Sequence, residues 1–97
     1  MAAIRYYKKA IELDPESSEG YFNLGISCGE IEEYQEAISY INKALEMGSK
    51  KGLYLYGRGR VYQLSGSKEK AMEDFKHAAM LGNRDAQDYI SNSTVTQ

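Results

Sequence analysis

The residues that could carry nucleophilic, acid–base or metal chemistry are few and far apart in this sequence. Cys28 is the only cysteine and His77 is the only histidine, so the chain can form neither an internal disulfide nor a Cys–His metal cluster. The helices predicted below put these two residues on different helices, which provides no Cys–His or Ser–His–Asp arrangement. We therefore expect no catalytic residue, no metal site and no cofactor, and we predict that the protein is not an enzyme.

Each of these two side chains also has a simpler interpretation. Cys28 lies on the predicted inward stripe of its helix, where a cysteine behaves as a small buried apolar residue. A reactive thiol is the alternative. His77 lies on the predicted outer side of its helix, which indicates a surface histidine.

Four glutamates gather around one predicted turn: Glu30, Glu32, Glu33 and Glu36. Carboxylates grouped in this way could bind a cation weakly, but their spacing lacks the D-x-[DN]-x-[DN]-G loop of a calcium hand. A solvated charged edge is the simpler interpretation. The stretch 57–59, with two glycines around Arg58, likewise lacks the phosphate-loop pattern and a preceding strand, so we expect no nucleotide site.

Composition and charge restrict the remaining classes of function. The chain has 97 residues and a formal net charge of −2 at pH 7, whereas a nucleic-acid binder usually shows a basic face. RNA binding, which some helical-repeat proteins perform, is therefore a weaker alternative. No apolar run is long enough to span a bilayer, and charged residues interrupt the first helix, so it is not a secretory signal. We expect a cytoplasmic protein with no nucleic-acid and no membrane partner.

Hydrophobic spacing predicts a chain made only of helices. Apolar residues recur at intervals of three and four, which is the period of a helix with one buried face. The predicted helices cover residues 2–13, 18–30, 34–47, 52–64, 68–81 and 86–92. Their predicted N-caps are Ser17 or Ser18, Ser67 and Asp85, and Gly48, Gly66 and Gly82 supply stops. The turn at 31–33 has no glycine, which makes it the least regular of the set.

One pattern occurs twice, at a fixed offset of 34 residues. Gly25 corresponds to Gly59, and an Ala-x3-large-x2-Ala element in one copy corresponds to the same element in the next. Those elements are Ala37, Ile41 and Ala44 in the first copy and Ala71, Phe75 and Ala78 in the second. A half copy formed by Ala3, Tyr7 and Ala10 opens the chain. A fixed period of this length is typical of stacked repeats.

These residues resemble the tetratricopeptide repeat, whose pattern is W-x2-L-G-x2-Y, then A-x3-F, then P. Tyr21, Leu24 and Gly25 match the opening of the pattern in the first copy, although Cys28 stands in the place of its tyrosine. Leu55, Gly59 and Tyr62 match it in the second copy. The stretch 71–82 also resembles the related Sel1-like repeats. The resemblance implies an all-α fold, an antiparallel helix-pair solenoid of about two and a half repeats.

The resemblance also divides the chain. We predict a single domain over residues 1–92 and a disordered tail over 93–97. Within the domain we expect a half repeat at 3–17, repeats at 18–51 and 52–85, and a cap helix at 86–92. The first helix of a family repeat normally packs before the second, so the opening helix lacks its usual partner. We interpret the chain either as a fragment of a longer array or as a unit that self-associates through this helix.

In this family the first helix of each pair lines a concave face, which implies a role in protein–protein interaction, as a scaffold or adaptor that binds a peptide segment. The resemblance places these residues on that face: Glu19, Phe22, Asn23, Ile26, Tyr56, Arg60 and Gln63. Arg60 could pair with a carboxylate through two hydrogen bonds, and Asn23 could bond a peptide backbone. Ordinary packing and solvation remain the alternative for the aromatic and aliphatic members.

Some relatives hold the C-terminal carboxylate of chaperones in a clamp of lysines, an arginine and asparagines. Only Asn23 fits that clamp, so the resemblance does not predict recognition of chaperone tails. Arg58 stands where many bacterial-type repeats carry arginine, and we expect it to pair with an acid on a neighbouring helix. The alternative function is self-assembly as a homodimer through Ile4, Tyr7 and Ile11 on the opening helix.

Overall fold

The computed structural model describes residues 2–95, with side chains through residue 93. Every regular element in that part of the chain is a helix, which confirms the predicted all-α class. The helices are α1 (Ala2–Leu13), α2 (Ser18–Glu30), α3 (Tyr34–Met47), α4 (Lys51–Ser65), α5 (Lys68–Met80) and α6 (Arg84–Val95). They form two compact units that divide between Ser49 and Lys50, where the sequence predicted a single domain with a repeat boundary at residue 51.

Helices α1, α2 and α3 have the predicted bounds, α4 is longer by one residue at each end, and α5 is shorter by one residue at its C-terminal end. The last helix differs more. It begins at Arg84 because Asn83, not Asp85, is its N-cap: the Ala86 amide donates to Asn83 Oδ1 at 2.8 Å. It also extends to Val95, so residues 93–95, which were predicted to belong to a disordered tail, are helical. Residues 96 and 97 lie outside the described residues.

The serine caps also differ from one another. Ser17 is the N-cap of α2, and its side chain accepts a hydrogen bond from the Gly20 amide at 3.0 Å, as expected for a capping serine. Ser67 occupies the N-cap position of α5, but its side chain makes no capping hydrogen bond. The prediction that Ser67 caps α5 is therefore right in position and wrong in chemistry.

The turn between α2 and α3 has a left-handed residue without a glycine. Glu32 adopts a φ of +67°, and it is the only non-glycine residue with positive φ in the described chain. Just after it, the Glu33 amide donates to the carbonyl of Cys28 at 2.9 Å, which closes α2. The tight turn thus forms, at the cost of a side chain in a region that suits glycine.

In the first unit, α1 and α3 both pack on α2. The buried core consists of Leu24, Cys28, Ala37, Ile41 and Ala44. A Cβ added to Gly25 would lie only 2.6 Å from Ile41 Cγ1 and 2.9 Å from the Ala37 carbonyl oxygen. The missing side chain therefore lets the two helices approach, as the sequence predicted.

In the second unit, α4 and α6 both pack on α5. The buried core consists of Tyr54, Leu55, Val61, Ala71, Phe75, Ala78 and Ala86. A Cβ added to Gly59 would lie 2.7 Å from the Phe75 ring, so the glycine contact of the first unit recurs. Tyr54 is fully buried, and the sequence analysis did not identify it as a core residue.

Candidate functional site

The first predicted interaction face lies on α2. Residues 19, 22, 23 and 26 recur at helical spacing and so share one side of the helix. Glu19 is exposed, whereas Phe22, Asn23 and Ile26 are half-buried. The Asn23 side chain makes no hydrogen bond with any residue that the structure describes. This face therefore offers an amide with unused hydrogen-bonding capacity beside two apolar side chains.

The second predicted face lies on α4. Tyr56, Arg60 and Gln63 follow one another at intervals of four and three residues, so they line one side of the helix. Arg60 is exposed, and its Nη1 lies 3.5 Å from Tyr56 Oη in a long hydrogen bond. Arg60 makes no ion pair within residues 2–93. Its guanidinium is therefore available to a carboxylate from elsewhere.

An aromatic cluster fixes this face to the core of the second unit. The Phe75 ring lies 5.5 Å from the Tyr56 ring and 4.5 Å from the Tyr89 ring, measured between centroids. Gln63 Nε2 donates to Tyr89 Oη at 3.1 Å. Tyr89 thus supports two of the three predicted site residues, a role that the sequence analysis missed. The available signal was the offset of 34 residues between Tyr89 and the inward Leu55.

Arg58 contrasts with Arg60 two positions away. Arg58 Nε and Nη2 donate to the two carboxylate oxygens of Asp74, each at 2.8 Å, and Asp74 is buried. The hydrogen bond to Asp74 raises the pKa of Arg58, against the opposing effect of burial. This two-pronged geometry is the strongest form of such a pair. It confirms the prediction that Arg58 pairs with an acid on a neighbouring helix.

Cys28 and His77 are placed as their simpler interpretations predicted. Cys28 is 4% exposed, and burial raises the pKa of its thiol, with a further increase from the carboxylates of Glu36 and Glu33 against a decrease from Lys8. A raised pKa disfavours the thiolate that would react. His77 is exposed on α5.

The four clustered glutamates are all exposed. Among the described residues, no group of histidine, cysteine, aspartate and glutamate side chains is arranged to hold a metal ion. Within the same range, none of the helices has the length and apolar character needed to cross a membrane.

The residues predicted for self-association share one side of α1. Ile4, Tyr7 and Ile11 are all half-buried. Ile11 packs toward α2, because its Cγ2 lies 2.8 Å from the place of a Cβ added to Gly20. Ile4 stands two turns before Ile11 on the same face. Tyr7 lies between them on the same side, three residues after Ile4 and four before Ile11, and its ring is 5.3 Å from that of Tyr6.

Comparison with known sequences gives the same family for both units. Two tetratricopeptide repeat models match residues 6–39 and 53–81. "TPR repeat-containing protein MJ1428" of Methanocaldococcus jannaschii is 25% identical over 90 residues, which cover 93% of this chain and 16% of that protein. "Tetratricopeptide repeat protein 36" of Danio rerio is 34% identical over 89 residues, which cover 84% of this chain and 46% of that protein. The chain therefore spans less than half the length of either curated relative.

Solved structures show the same fold. The crystal structure of MamA is similar with a TM-score of 0.73 and 30% identity, over 81% of this chain and 46% of that one. The N-terminal domain of stress-induced protein-1 (STI-1) from C. elegans is similar with a TM-score of 0.74 and 22% identity, over 89% and 74% of the two chains. At the latter identity, the likeness shows the fold alone. These similarities confirm the predicted helix-pair solenoid.

Three findings agree on one family. The glycine contact recurs after 34 residues, the two family models together cover well over half of the chain, and both named relatives are tetratricopeptide repeat proteins. This chain belongs to the tetratricopeptide repeat family.

Proposed function

We propose that this chain is a protein-interaction module that binds a peptide segment of a partner protein through the predicted faces of α2 and α4. Its tetratricopeptide repeats make it an interaction module in the general sense. The use of these two faces, the peptide nature of the ligand and a scaffold or adaptor role are our proposal. The role is one of binding rather than catalysis, in a reducing compartment such as the cytoplasm, where Cys28 stays a thiol.

The observation that carries the proposal is the difference between Arg58 and Arg60. The first guanidinium is committed to the buried carboxylate of Asp74. The second is exposed and lies beside Tyr56, with no carboxylate partner among the described residues. An arginine in this setting suits a carboxylate of a partner, either an acidic side chain or a chain end.

The neighbouring side chains suit the rest of a peptide. Tyr56 is held by its contact with Phe75, so its ring offers apolar surface at little cost in side-chain entropy. Gln63 is held by Tyr89 and keeps one N–H and its carbonyl for a peptide backbone. On α2, Asn23 could bond a second stretch of backbone. We therefore expect ligands that combine a carboxylate with an apolar residue.

The test is a selection from a displayed library of random peptides on the immobilised 97-residue chain. The dissociation constants of the enriched peptides are then measured by fluorescence anisotropy. We expect Arg60→Ala to weaken binding roughly tenfold to a hundredfold, because a charge-assisted hydrogen bond contributes roughly 1.5–3 kcal/mol. Asn23→Ala tests the α2 face separately.

Lys76→Ala is the matched control, because Lys76 is an exposed cation on α5 outside both proposed faces. It should leave the affinity unchanged. Enriched peptides that bind the Arg60→Ala and Asn23→Ala variants as tightly as the unaltered chain would contradict the proposal, and so would a selection that enriches no peptide.

A further inference from the structure

We propose that the exposed side of α4 binds an extended peptide at an acidic residue inside its sequence, with apolar side chains two residues before and two residues after that acid. This inference rests on the proposed function and names the ligand of the same site. Of the two carboxylates that suit Arg60, an acidic side chain and a chain end, it selects the side chain. It also adds Leu53 and Leu64 to the residues that determine specificity.

On its exposed side, α4 carries one cation between apolar groups. Leu53, Tyr56, Arg60 and Leu64 follow one another at intervals of three, four and four residues, so they share one side of the helix and are called here the α4 stripe. Leu53 is 42% exposed and Leu64 is 56% exposed. Arg60 is exposed between the Tyr56 ring and Leu64. A ligand that covers the α4 stripe therefore meets apolar surface on both sides of the guanidinium.

The first copy shows that the repeat does not require leucine at these places. At the offset of 34 residues, Leu53 corresponds to Glu19 and Leu64 corresponds to Glu30. Both glutamates are exposed. A helix of the same kind thus folds with charged residues at both positions. The leucines are available for binding, where a ligand that covers them removes apolar surface from water.

The spacing of the α4 stripe matches an extended chain. Tyr56, Arg60 and Leu64 are four residues apart in turn, which is about 6 Å along the helix axis for each step. Alternate side chains of an extended peptide lie on one side of its backbone, about 6.6 Å apart. A peptide that lies along α4 can therefore place an apolar, an acidic and an apolar side chain opposite these three residues. The next side chain on the same side approaches Leu53.

Gln63 favours an extended ligand over a helical one. Its Nε2 donates to Tyr89 Oη at 3.1 Å, which leaves one N–H and the side-chain carbonyl without a partner among the described residues. A helical ligand would use its backbone groups internally, whereas an extended ligand presents them. Gln63 lies beside Leu64 and three residues after Arg60, so its amide can bond the backbone of a peptide held at those two residues.

Leu64 favours an internal acid over a chain end. A peptide that ended with its carboxylate at Arg60 would cover the α4 stripe on one side of the arginine only. An acidic side chain lets the backbone continue, so both Tyr56 and Leu64 are covered. The apolar groups then exclude water around the ion pair, which strengthens the attraction between the two charges. The charge of Arg60 and the leucines on both sides of it thus select the same ligand.

The experiment uses the 97-residue chain and a synthetic peptide with blocked ends. The peptide has one glutamate, a leucine two residues to either side of it, and serine elsewhere. Fluorescence anisotropy gives the dissociation constant. We expect glutamine in place of the glutamate, or serine in place of either leucine, to weaken binding about tenfold or more. These changes leave the protein unaltered, so they cannot act through its folding.

Matching changes are then made in the protein. Leu64→Glu introduces the residue of the first copy, and we expect it to weaken binding about tenfold or more. Arg60→Glu should reverse the preference, so that a peptide with arginine in place of the glutamate binds more tightly than the original peptide. Met80→Glu is the matched control, because Met80 is 84% exposed on α5 and its equivalent in the first copy is also a glutamate, Glu46. It should leave the affinity unchanged, and circular dichroism checks that each variant is folded.

A shorter peptide, with a free C-terminal carboxylate in the place of the glutamate, tests the chain end. Tighter binding of this peptide than of the blocked one would overturn the inference. So would affinity that is insensitive to Leu64→Glu, or a blocked peptide that does not bind. In each of these cases, library peptides that depend on Arg60 would still support the proposed function. A blocked peptide that does not bind, together with a library selection that enriches nothing, would overturn both.

Discussion

The two complete helix pairs share a backbone contact and differ in the chemistry around it. In both, a glycine on the first helix meets a large side chain on the second: Gly25 meets Ile41, and Gly59 meets Phe75. At the residue just before that glycine, the first pair has the apolar Leu24, whereas the second has Arg58 with a buried acid as its partner. The repeat thus fixes where two helices touch and leaves open how the neighbouring space is filled.

The partner positions change together. Leu24 corresponds to Arg58, and Tyr40 corresponds to Asp74. The buried Leu24 and the half-buried Tyr40 of the first copy are thus replaced by an ion pair in the second. Both positions change together because a buried carboxylate without its guanidinium would be costly.

The sharpest way to break the second pair is to remove its buried acid. Asp74→Ala removes the buried carboxylate to which Arg58 donates two hydrogen bonds, and we expect a loss of about 3 kcal/mol in the free energy of unfolding. Urea unfolding followed by circular dichroism measures it. Glu73→Ala, an exposed neighbour, should change stability by less than about 0.5 kcal/mol.

Transplanting the residues of the first copy sharpens the same comparison. If the Leu24 and Tyr40 side chains of the first copy can replace the Arg58–Asp74 pair of the second, the double variant Arg58→Leu/Asp74→Tyr should be much more stable than Asp74→Ala. A double variant as unstable as the single one would show that the two pairs are not interchangeable.

Adding a side chain to the shared glycine should cost more stability in the first unit. A Cβ at Gly25 meets both a side chain and a backbone oxygen below 3.0 Å, whereas at Gly59 the backbone oxygen is 3.2 Å away. A backbone atom yields less easily than a ring, so we expect Gly25→Ala to cost about 2–3 kcal/mol and Gly59→Ala about 1–2 kcal/mol. Thermal and urea unfolding of the two variants gives the order.

Gly52→Ala is the control for this pair. A Cβ there would meet its nearest neighbour at an ordinary 3.6 Å, so the higher helix propensity of alanine should stabilise the chain by up to about 1 kcal/mol. Equal effects at Gly25 and Gly59, or a loss at Gly52, would contradict the steric explanation.

The turns after α2 and α4 differ by one side chain. In both, an amide bonds back to the helix, from Glu33 to Cys28 and from Ser67 to Tyr62. The left-handed residue is Glu32 in the first turn and Gly66 in the second. We expect Glu32→Gly to stabilise the chain by about 0.5–1 kcal/mol and Gly66→Ala to destabilise it by a similar amount.

The same denaturation assay checks both turn variants. Glu33→Gly is the control in the first turn, because φ at Glu33 is −87° and a glycine there relieves no strain. A loss of stability in Glu32→Gly would show that the glutamate side chain contributes more than its backbone conformation costs.

The smallest expected difference concerns pH. Cys28 occupies the place of Tyr62, and burial followed by nearby carboxylates raises the pKa of its thiol. As pH rises above the ordinary thiol pKa, the unfolded chain loses this proton before the folded chain does, so the contribution of Cys28 to stability falls. The free energy of unfolding, compared between the unaltered chain and Cys28→Ala at pH 7.5 and 9.5, should show a smaller advantage for cysteine at the higher pH. A stability difference in favour of cysteine that grows with pH would contradict the predicted direction of the thiol pKa shift.

Much of the fold could be predicted because local sequence patterns determine where the helices begin and end. The spacing of apolar residues gave the bounds of α1, α2 and α3, and the small residue at Gly25 indicated a close approach of two helices. The cap of α6 could not be chosen in advance, since Asn83 and Asp85 are both good capping residues. The left-handed Gly82 ends α5 just before Asn83, and only that backbone geometry selects between them.

The site residues are harder to predict because exposure depends on contacts far apart in sequence. Arg58 and Arg60 have the same chemistry, and what separates them is Asp74 on another helix. The full burial of Tyr54 was missed for a similar reason. Its equivalent in the first copy is Gly20, which is also buried. The 34-residue period thus indicates a buried position, but a glycine in one copy does not suggest a buried tyrosine in the other.

The lone thiol has one more consequence. Cys28 is shielded inside α2, and the sequence has no other cysteine. A sulfhydryl reagent can therefore react only when the first unit opens, while the second unit stays silent. The rate of modification in the native protein, set beside the global unfolding rate, tells whether the two halves come apart together or one at a time. Modification of Cys28 therefore reports opening of the first unit alone, without any added label.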